Sequence, residues 1–196
     1  MKLLITGGAG FIGSNLVRYW RQAHPEDRIS VLDVLTYAGR IENFDATDLA
    51  AQEGSHWWFS HANVADPRAV EAAFSRLQPT VVVHLAASTH VDRSIYDAGD
   101  FLQTNVVGVQ ALLTAARAAR VERLIFVSSD EVYGDRSGIQ PADENTAFHP
   151  SSPYAASKAA GDHLALAHHR TYGTPVIVAR PSNCYGPRQH PEKLVP

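Results

Sequence analysis

Cysteine is nearly missing from this chain of 196 residues, which carries Cys184 alone. One thiol makes no internal disulfide and no cysteine-based zinc site, and this usage fits a reducing compartment. Basic runs are missing as well. Seventeen Lys and Arg against twenty Asp and Glu give a net charge of −3, with no cationic stripe to follow a nucleic-acid backbone or an anionic membrane surface. Long apolar runs are also absent. The opening MKLLITGG breaks at glycine, short of a signal-peptide core or a membrane span. The expectation is a cytoplasmic protein with small-molecule partners, no nucleic acid and no membrane. The ten histidines include no HExxH or HxxxH pair with a supporting acid, so no metal site is expected. His163, His168 and His169 read as a polar helix surface.

What the chain does contain is an alternation of short apolar runs with longer helical patterns. Strands are expected at Lys2–Thr6, Ile29–Asp33, His56–Ser60, Thr80–Leu85, Arg123–Ser128 and Thr174–Ala179. Between them, helices are expected at Phe11–Ala23, Pro67–Leu77, Ala98–Ala119 and Tyr154–Tyr172. Asp66 before Pro67 is a start signal, and Gly173 with Pro175 is a stop. This pattern predicts an α/β fold, a Rossmann-like doubly wound parallel sheet with helices on both faces. Residues 1–180 read as one domain, and 181–196 as the opening of a ligand-binding segment containing Asn183, Tyr185, Arg188 and Lys193.

Two motifs carry chemistry. ITGGAGFIGSN follows the first strand and opens a helix; Gly8, Gly10 and Gly13 satisfy GxGxxG, and Gly7, Gly10 and Gly13 satisfy GxxGxxG. Glycines here allow a tight turn, close backbone approach to a pyrophosphate and helix–strand packing, with the helix N-terminus facing the phosphates. Asp33 ends the second strand, where an acid accepts from ribose hydroxyls and repels a 2′-phosphate, so NAD is favoured over NADP. Arg40, in the loop downstream, is the one cation placed to argue otherwise.

PYAASKAAGDH sets Tyr154 and Lys158 four residues apart on one helix face. A neighbouring ammonium is expected to favour the tyrosinate, which then takes the proton of a substrate hydroxyl. Ser128 and Ser129 close the preceding strand, where open α/β sheets bind ligands, and one of them is expected to orient that hydroxyl. Asp130 and Glu131 follow directly. By composition alone they are either an ordinary turn or an acid–base pair.

Together with LDVLTYAGRIEN, HVDRSI, TNVVG, SSDEVYG and SNCYGPRQHPEKLVP, these motifs make the chain resemble the extended short-chain dehydrogenases that act on nucleotide sugars, and within them the 4,6-dehydratases. The resemblance implies a lyase that dehydrates a nucleotide-activated hexose such as dTDP-glucose, with Asp130 as general acid and Glu131 as general base. It implies NAD contacts at Phe11, Ile12, Thr36, Asn63, Val64, Ala86, Ala87, Thr104, Tyr154 and Lys158 beside the glycines and Asp33. Substrate contacts are implied at Thr89, Ser129, Asn183, Lys193 and Leu194, and homodimerisation through the long helices.

Ser129 stands where threonine is usual, Asn63 where an acid is, Ser88 where glutamate is and Cys184 where asparagine is. Family members continue past PEKLVP into a smaller substrate lobe, so this chain reads as truncated. The alternatives are an epimerase or decarboxylase, and an NAD-binding module without turnover.

Overall fold

The computed structural model describes residues 1–44, 56–138 and 140–192. Six strands form one parallel sheet: β1 (Lys2–Thr6), β2 (Arg28–Asp33), β3 (Trp57–His61), β4 (Val81–His84), β5 (Arg123–Val127) and β6 (Val176–Ala179), in the order β3-β2-β1-β4-β5-β6. All six expected strands are present, with ends displaced by at most two residues.

Period-two alternation sorts the core into two layers. Leu4, Leu32, Val82, Leu124 and Phe126 point to one face, where they meet Val70, Phe74 and Leu77 of α2 (Pro67–Leu77) and Val109, Leu112 and Leu113 of α5 (Val109–Ala118). Leu3, Ile5, Ile29, Val31 and Val83 point to the other face, with Val17 of α1 (Phe11–Ala23), Phe44 and the edge residue Trp57. Register keeps each set aligned across the sheet: Leu3 pairs with Ile29 and Ile29 with Trp57, while Leu4 pairs with Val82 and Val82 with Leu124. The central strands β1, β2 and β4 are covered on both faces and read as nearly continuous apolar runs, whereas Ile177 of the edge strand β6 is exposed.

The long helix expected at Ala98–Ala119 departs from the sequence reading. It starts as α4 (Gly99–Leu102), widens into a π-wound stretch at Gln103–Gly108 and continues as α5. Before it lies a short helix that the sequence pattern does not reveal, α3 (Val91–Tyr96). The last helix, α6 (Pro153–Tyr172), begins one residue earlier than expected, with Ser152 accepting the Ala155 N–H and Pro153 at its first position. No helix among the described residues is long and apolar enough to cross a membrane.

Strand order reverses at β1, which lies between β2 and β4. The crevice outside the carboxyl ends of these strands is where doubly wound sheets bind ligands.

Candidate active site

A cleft of about 710 Å³ opens at that reversal. Its floor begins at the glycine turn. Gly7 has φ of +69°, and a Cβ there would lie 2.5 Å from the Ala86 nitrogen; at Gly13 it would lie 2.2 Å from the Gly7 oxygen. These two glycines are packing requirements. Gly10 differs: its backbone is extended, and a Cβ would meet only the Gly7 oxygen, at 3.3 Å. The first turn of α1 therefore presents open backbone to the cleft, a fit for a diphosphate.

Asp33 is buried and braces this turn. Its Oδ2 accepts the Ala9 N–H and its Oδ1 the Leu35 N–H, both at 2.8 Å. The second bond holds Leu35 at φ of +54°, a conformation uncommon for leucine. Each oxygen keeps a second lone pair for a ribose hydroxyl. Arg40 does not line the cleft; its guanidinium lies beside Glu42. Asn63 lines it, with Oδ1 accepting the Ala65 N–H at 2.9 Å. Phe11, Ile12, Thr36, Val64, Ala86, Ala87 and Thr104 also line the cleft.

At the other end the cleft gathers Ser128, Ser129, Asp130, Glu131, Tyr154 and Lys158. The acids sit on a single 3₁₀ turn, Asp130–Tyr133, capped by Ser129. Ser129 is the hub. Its Oγ accepts the Glu131 N–H at 3.2 Å, lies 3.4 Å from Asp130 Oδ1, and acts on Tyr154 in the direction that lowers the phenol's pKa. Of the two candidate serines, Ser129 is the one that bears on the tyrosine's pKa, while the Ser128 hydroxyl is buried without a partner.

Lys158 is anchored at the end of β5. Its Nζ donates to the Val127 carbonyl at 2.7 Å and lies over the Phe126 ring. Burial pushes the tyrosine up to about 12; the Ser129 hydrogen bond opposes this, and the charges of Glu131 and Asp130 add to it. Burial also pushes the lysine down to about 8, against the field of Asp162. Four residues of spacing puts two side chains on one face without directing the ammonium to the phenol. Below them, His84 is fully buried, stacked on Phe126 and bonded to Thr6 Oγ1 at 2.6 Å; desolvation and then the Lys158 charge push it down to about 3.

A buried amide that the sequence reading passes over ties these parts together. Asn105, in the π-wound stretch, accepts the Ser88 N–H and donates to the Ser88 carbonyl, both at 3.0 Å, and to Ser157 Oγ at 2.9 Å. Ser157 in turn donates to the Tyr154 carbonyl at 2.7 Å. An asparagine among apolar residues in TNVVG is the signal that pointed to it.

Residues 181–192 form the remaining wall, to which Asn183 and Cys184 contribute, and Thr89 lines the cleft opposite. This segment is fastened by Asn15 Nδ2 to the Pro187 carbonyl at 2.9 Å and by Tyr37 OH to Glu192 at 3.3 Å. Lys193 and Leu194 lie outside the described residues. No group of metal-ligating side chains occurs among the described residues.

Comparison with known proteins gives consistent results. The model of the NAD dependent epimerase/dehydratase family matches residues 3–196. The dTDP-glucose 4,6-dehydratase of Haemophilus influenzae is 45% identical over 206 residues, covering all of this chain and 60% of that protein. That of Neisseria gonorrhoeae is 47% identical over 205 residues, covering 58% of its length. The chain therefore spans about 60% of the curated relatives it matches. Among solved structures, a double mutant of the Streptomyces venezuelae dTDP-glucose 4,6-dehydratase with NAD bound gives a TM-score of 0.88 at 44% identity, covering all of this chain and 60% of that one. A Thermus thermophilus UDP-glucose 4-epimerase in complex with NAD gives 0.87 at 36% identity, covering 99% and 59%.

Proposed function

The chain belongs to the NAD dependent epimerase/dehydratase family, and we propose from this premise that it carries the cofactor-binding and catalytic part of a nucleotide-sugar 4,6-dehydratase acting on dTDP-glucose. The observation that carries this reading is the acid pair: Asp130 and Glu131, on a turn capped by Ser129, share one cleft with Tyr154 and Lys158. Oxidation and return at a single carbon need the tyrosine and lysine only. Elimination of water needs an acid and a base as well.

The glycine turn and Asp33 would hold NAD, which would supply a reversible hydride acceptor, so that the reaction has no net redox change. The residues of the chain move the protons. Ser129 orients the C4 hydroxyl and Tyr154 accepts its proton, which requires the phenol to leave the high range that burial imposes. The buried Lys158 ammonium and the cationic ring of the cofactor favour that change. With C4 a ketone, the C5 proton is acidic, and Glu131 takes it. Asp130 gives its proton to the C6 hydroxyl, which departs as water, and Glu131 gives a proton back to C5 as C6 is reduced.

In this reading residues 1–180 form the NAD-binding domain with the catalytic side chains, and 181–196 begin the substrate-binding segment, with Asn183, Thr89, Lys193 and Leu194 toward the sugar nucleotide. The protein acts in the cytoplasm as a homodimer. Leu102 and Val107 on the π-wound helix and Tyr172 at the end of α6 are large, exposed and apolar, and they supply the surface for packing the long helices of two copies.

The test is incubation of the chain with NAD and dTDP-glucose, followed by NMR of the sugar. A 4-keto-6-deoxy product supports the reading. The C4 epimer, formed also by Glu131→Gln, would replace it with epimerase activity.

A further inference from the structure

Behind the catalytic groups lies a buried ion pair that the mechanism does not use. The Asp162 side chain is fully buried, and its Oδ2 accepts from Arg180 Nε at 2.6 Å. Arg180 Nη1 donates to the Tyr133 hydroxyl at 2.9 Å, and the guanidinium lies over the rings of Phe148 and Tyr133, at 4.9 and 5.5 Å. Neither charged residue lines the main cleft. Arg180 instead lines a smaller cavity beside it, together with Asp130 and Tyr133.

What the pair touches is informative. Asp162 sits on α6 one turn beyond Lys158. Tyr133 is the last residue of the turn that bears Asp130 and Glu131. The residue after Arg180 holds the same turn from its other end, since the Pro181 carbonyl accepts the Asp130 N–H at 3.2 Å. Helix α6 itself is fixed against the sheet. A Cβ at Gly161 would lie 2.9 Å from Phe126 Cζ and 3.0 Å from the Asn105 carbonyl. One side of the site is thus anchored to the core, and Arg180 fastens the other side to it. A buried ion pair contributes little net stability compared with apolar residues of the same volume, because desolvation offsets the attraction. Its distinct contribution is directional: a guanidinium fork fixes two acceptors in one plane.

We propose that Asp162 and Arg180 are positioning residues that lock the turn bearing Asp130 and Glu131 to the helix bearing Tyr154 and Lys158, so that the elimination pair and the oxidation pair meet on one hexose. This rests on the dehydratase reading for its chemical consequence, but not for its structural one.

The experiment has two parts, using Arg180→Met, Arg180→Lys and Tyr133→Phe. Amide hydrogen exchange, followed by mass spectrometry without substrate, is expected to rise roughly tenfold in segment 129–134 of Arg180→Met and Tyr133→Phe, with α6 unchanged. Arg180→Lys, which keeps the charge, is expected to restore part of the protection. With NAD and dTDP-glucose, solvent deuterium uptake at C5 is expected to slow by roughly 10–100-fold in Arg180→Met while reduced nicotinamide absorbance forms at close to the wild-type rate, because small misplacements act on the step they misalign.

Unchanged exchange in segment 129–134 of Tyr133→Phe and Arg180→Lys overturns the proposal, even where Arg180→Met does not fold. Equal slowing of both half-reactions overturns it as well. If the wild-type chain shows neither half-reaction, the dehydratase reading goes unsupported by this chain, and the exchange result still decides the coupling.

Discussion

Replacing Lys158 with methionine isolates the cost of burying a catalytic cation. The side chain is fully buried, and desolvation lowers its pKa from 10.5 to about 8. At about 1.4 kcal/mol per unit, this difference corresponds to roughly 3 kcal/mol of stability withheld from the folded state while the lysine is charged. Below pH 8 both folded and unfolded lysine are protonated, and the folded chain bears the full cost. Between about pH 8 and 10.5 the folded lysine has released its proton while the unfolded one retains it, so stability rises with pH. Above 10.5 both are neutral and the cost is gone. The variant also loses the hydrogen bond to the Val127 carbonyl, worth about 1 kcal/mol and independent of pH.

Urea unfolding of wild type and Lys158→Met at a series of pH values is the assay. Near pH 7 the variant is expected to be more stable by about 2 kcal/mol, an advantage that reverses by pH 11. His84, which feels the Lys158 charge, is neutral in both chains from pH 7 to 11 and does not enter the slope of the difference. A stability difference that stays flat from pH 7 to 11 would refute the reasoning.

Three other substitutions bear on the site. Tyr154, pushed up to about 12, is expected to show no phenolate absorbance as pH rises through 10 in the wild-type minus Tyr154→Phe difference without cofactor; a step near 10 contradicts its burial. Gly10→Ala is expected to change folding stability by less than about 1 kcal/mol, since only the Gly7 oxygen must give way, yet to weaken NAD binding at least about tenfold by calorimetry; unaltered affinity would remove the diphosphate from this turn. Glu131→Gln is expected to bind NAD normally and to lose roughly 10²–10⁴-fold in water elimination, and retention of dehydration would assign the base elsewhere.

The sheet was legible because its central strands are buried on both faces and end in punctuation: glycine after Thr6, acid at Asp33, serines after Val127. The cleft was legible for the same reason, since its groups sit at strand ends and on the first turns of helices. Val91–Tyr96 was missed because six residues give too little periodicity. The π-wound stretch was missed because it keeps a helical composition and alters only the winding.

Long-range polar links were hidden more thoroughly. Asn105 meets a partner 52 residues away, and Arg180 partners 18 and 47 residues away; spacing within one element carries no trace of these. Asp162, one turn after Lys158, was the visible half of such a link. The Val127 carbonyl, at the end of another strand, receives the Lys158 ammonium, and spacing within α6 carries no trace of that link either.

The central claim is that oxidation and elimination groups serve one sugar in one cleft. Its most direct test is the chain incubated with NAD and dTDP-glucose in heavy water, with the sugar analysed by mass spectrometry. Loss of one water together with one solvent deuterium at C5 is the expected result. A sugar that keeps its water and gains no deuterium, with NAD shown to be bound, would contradict the account.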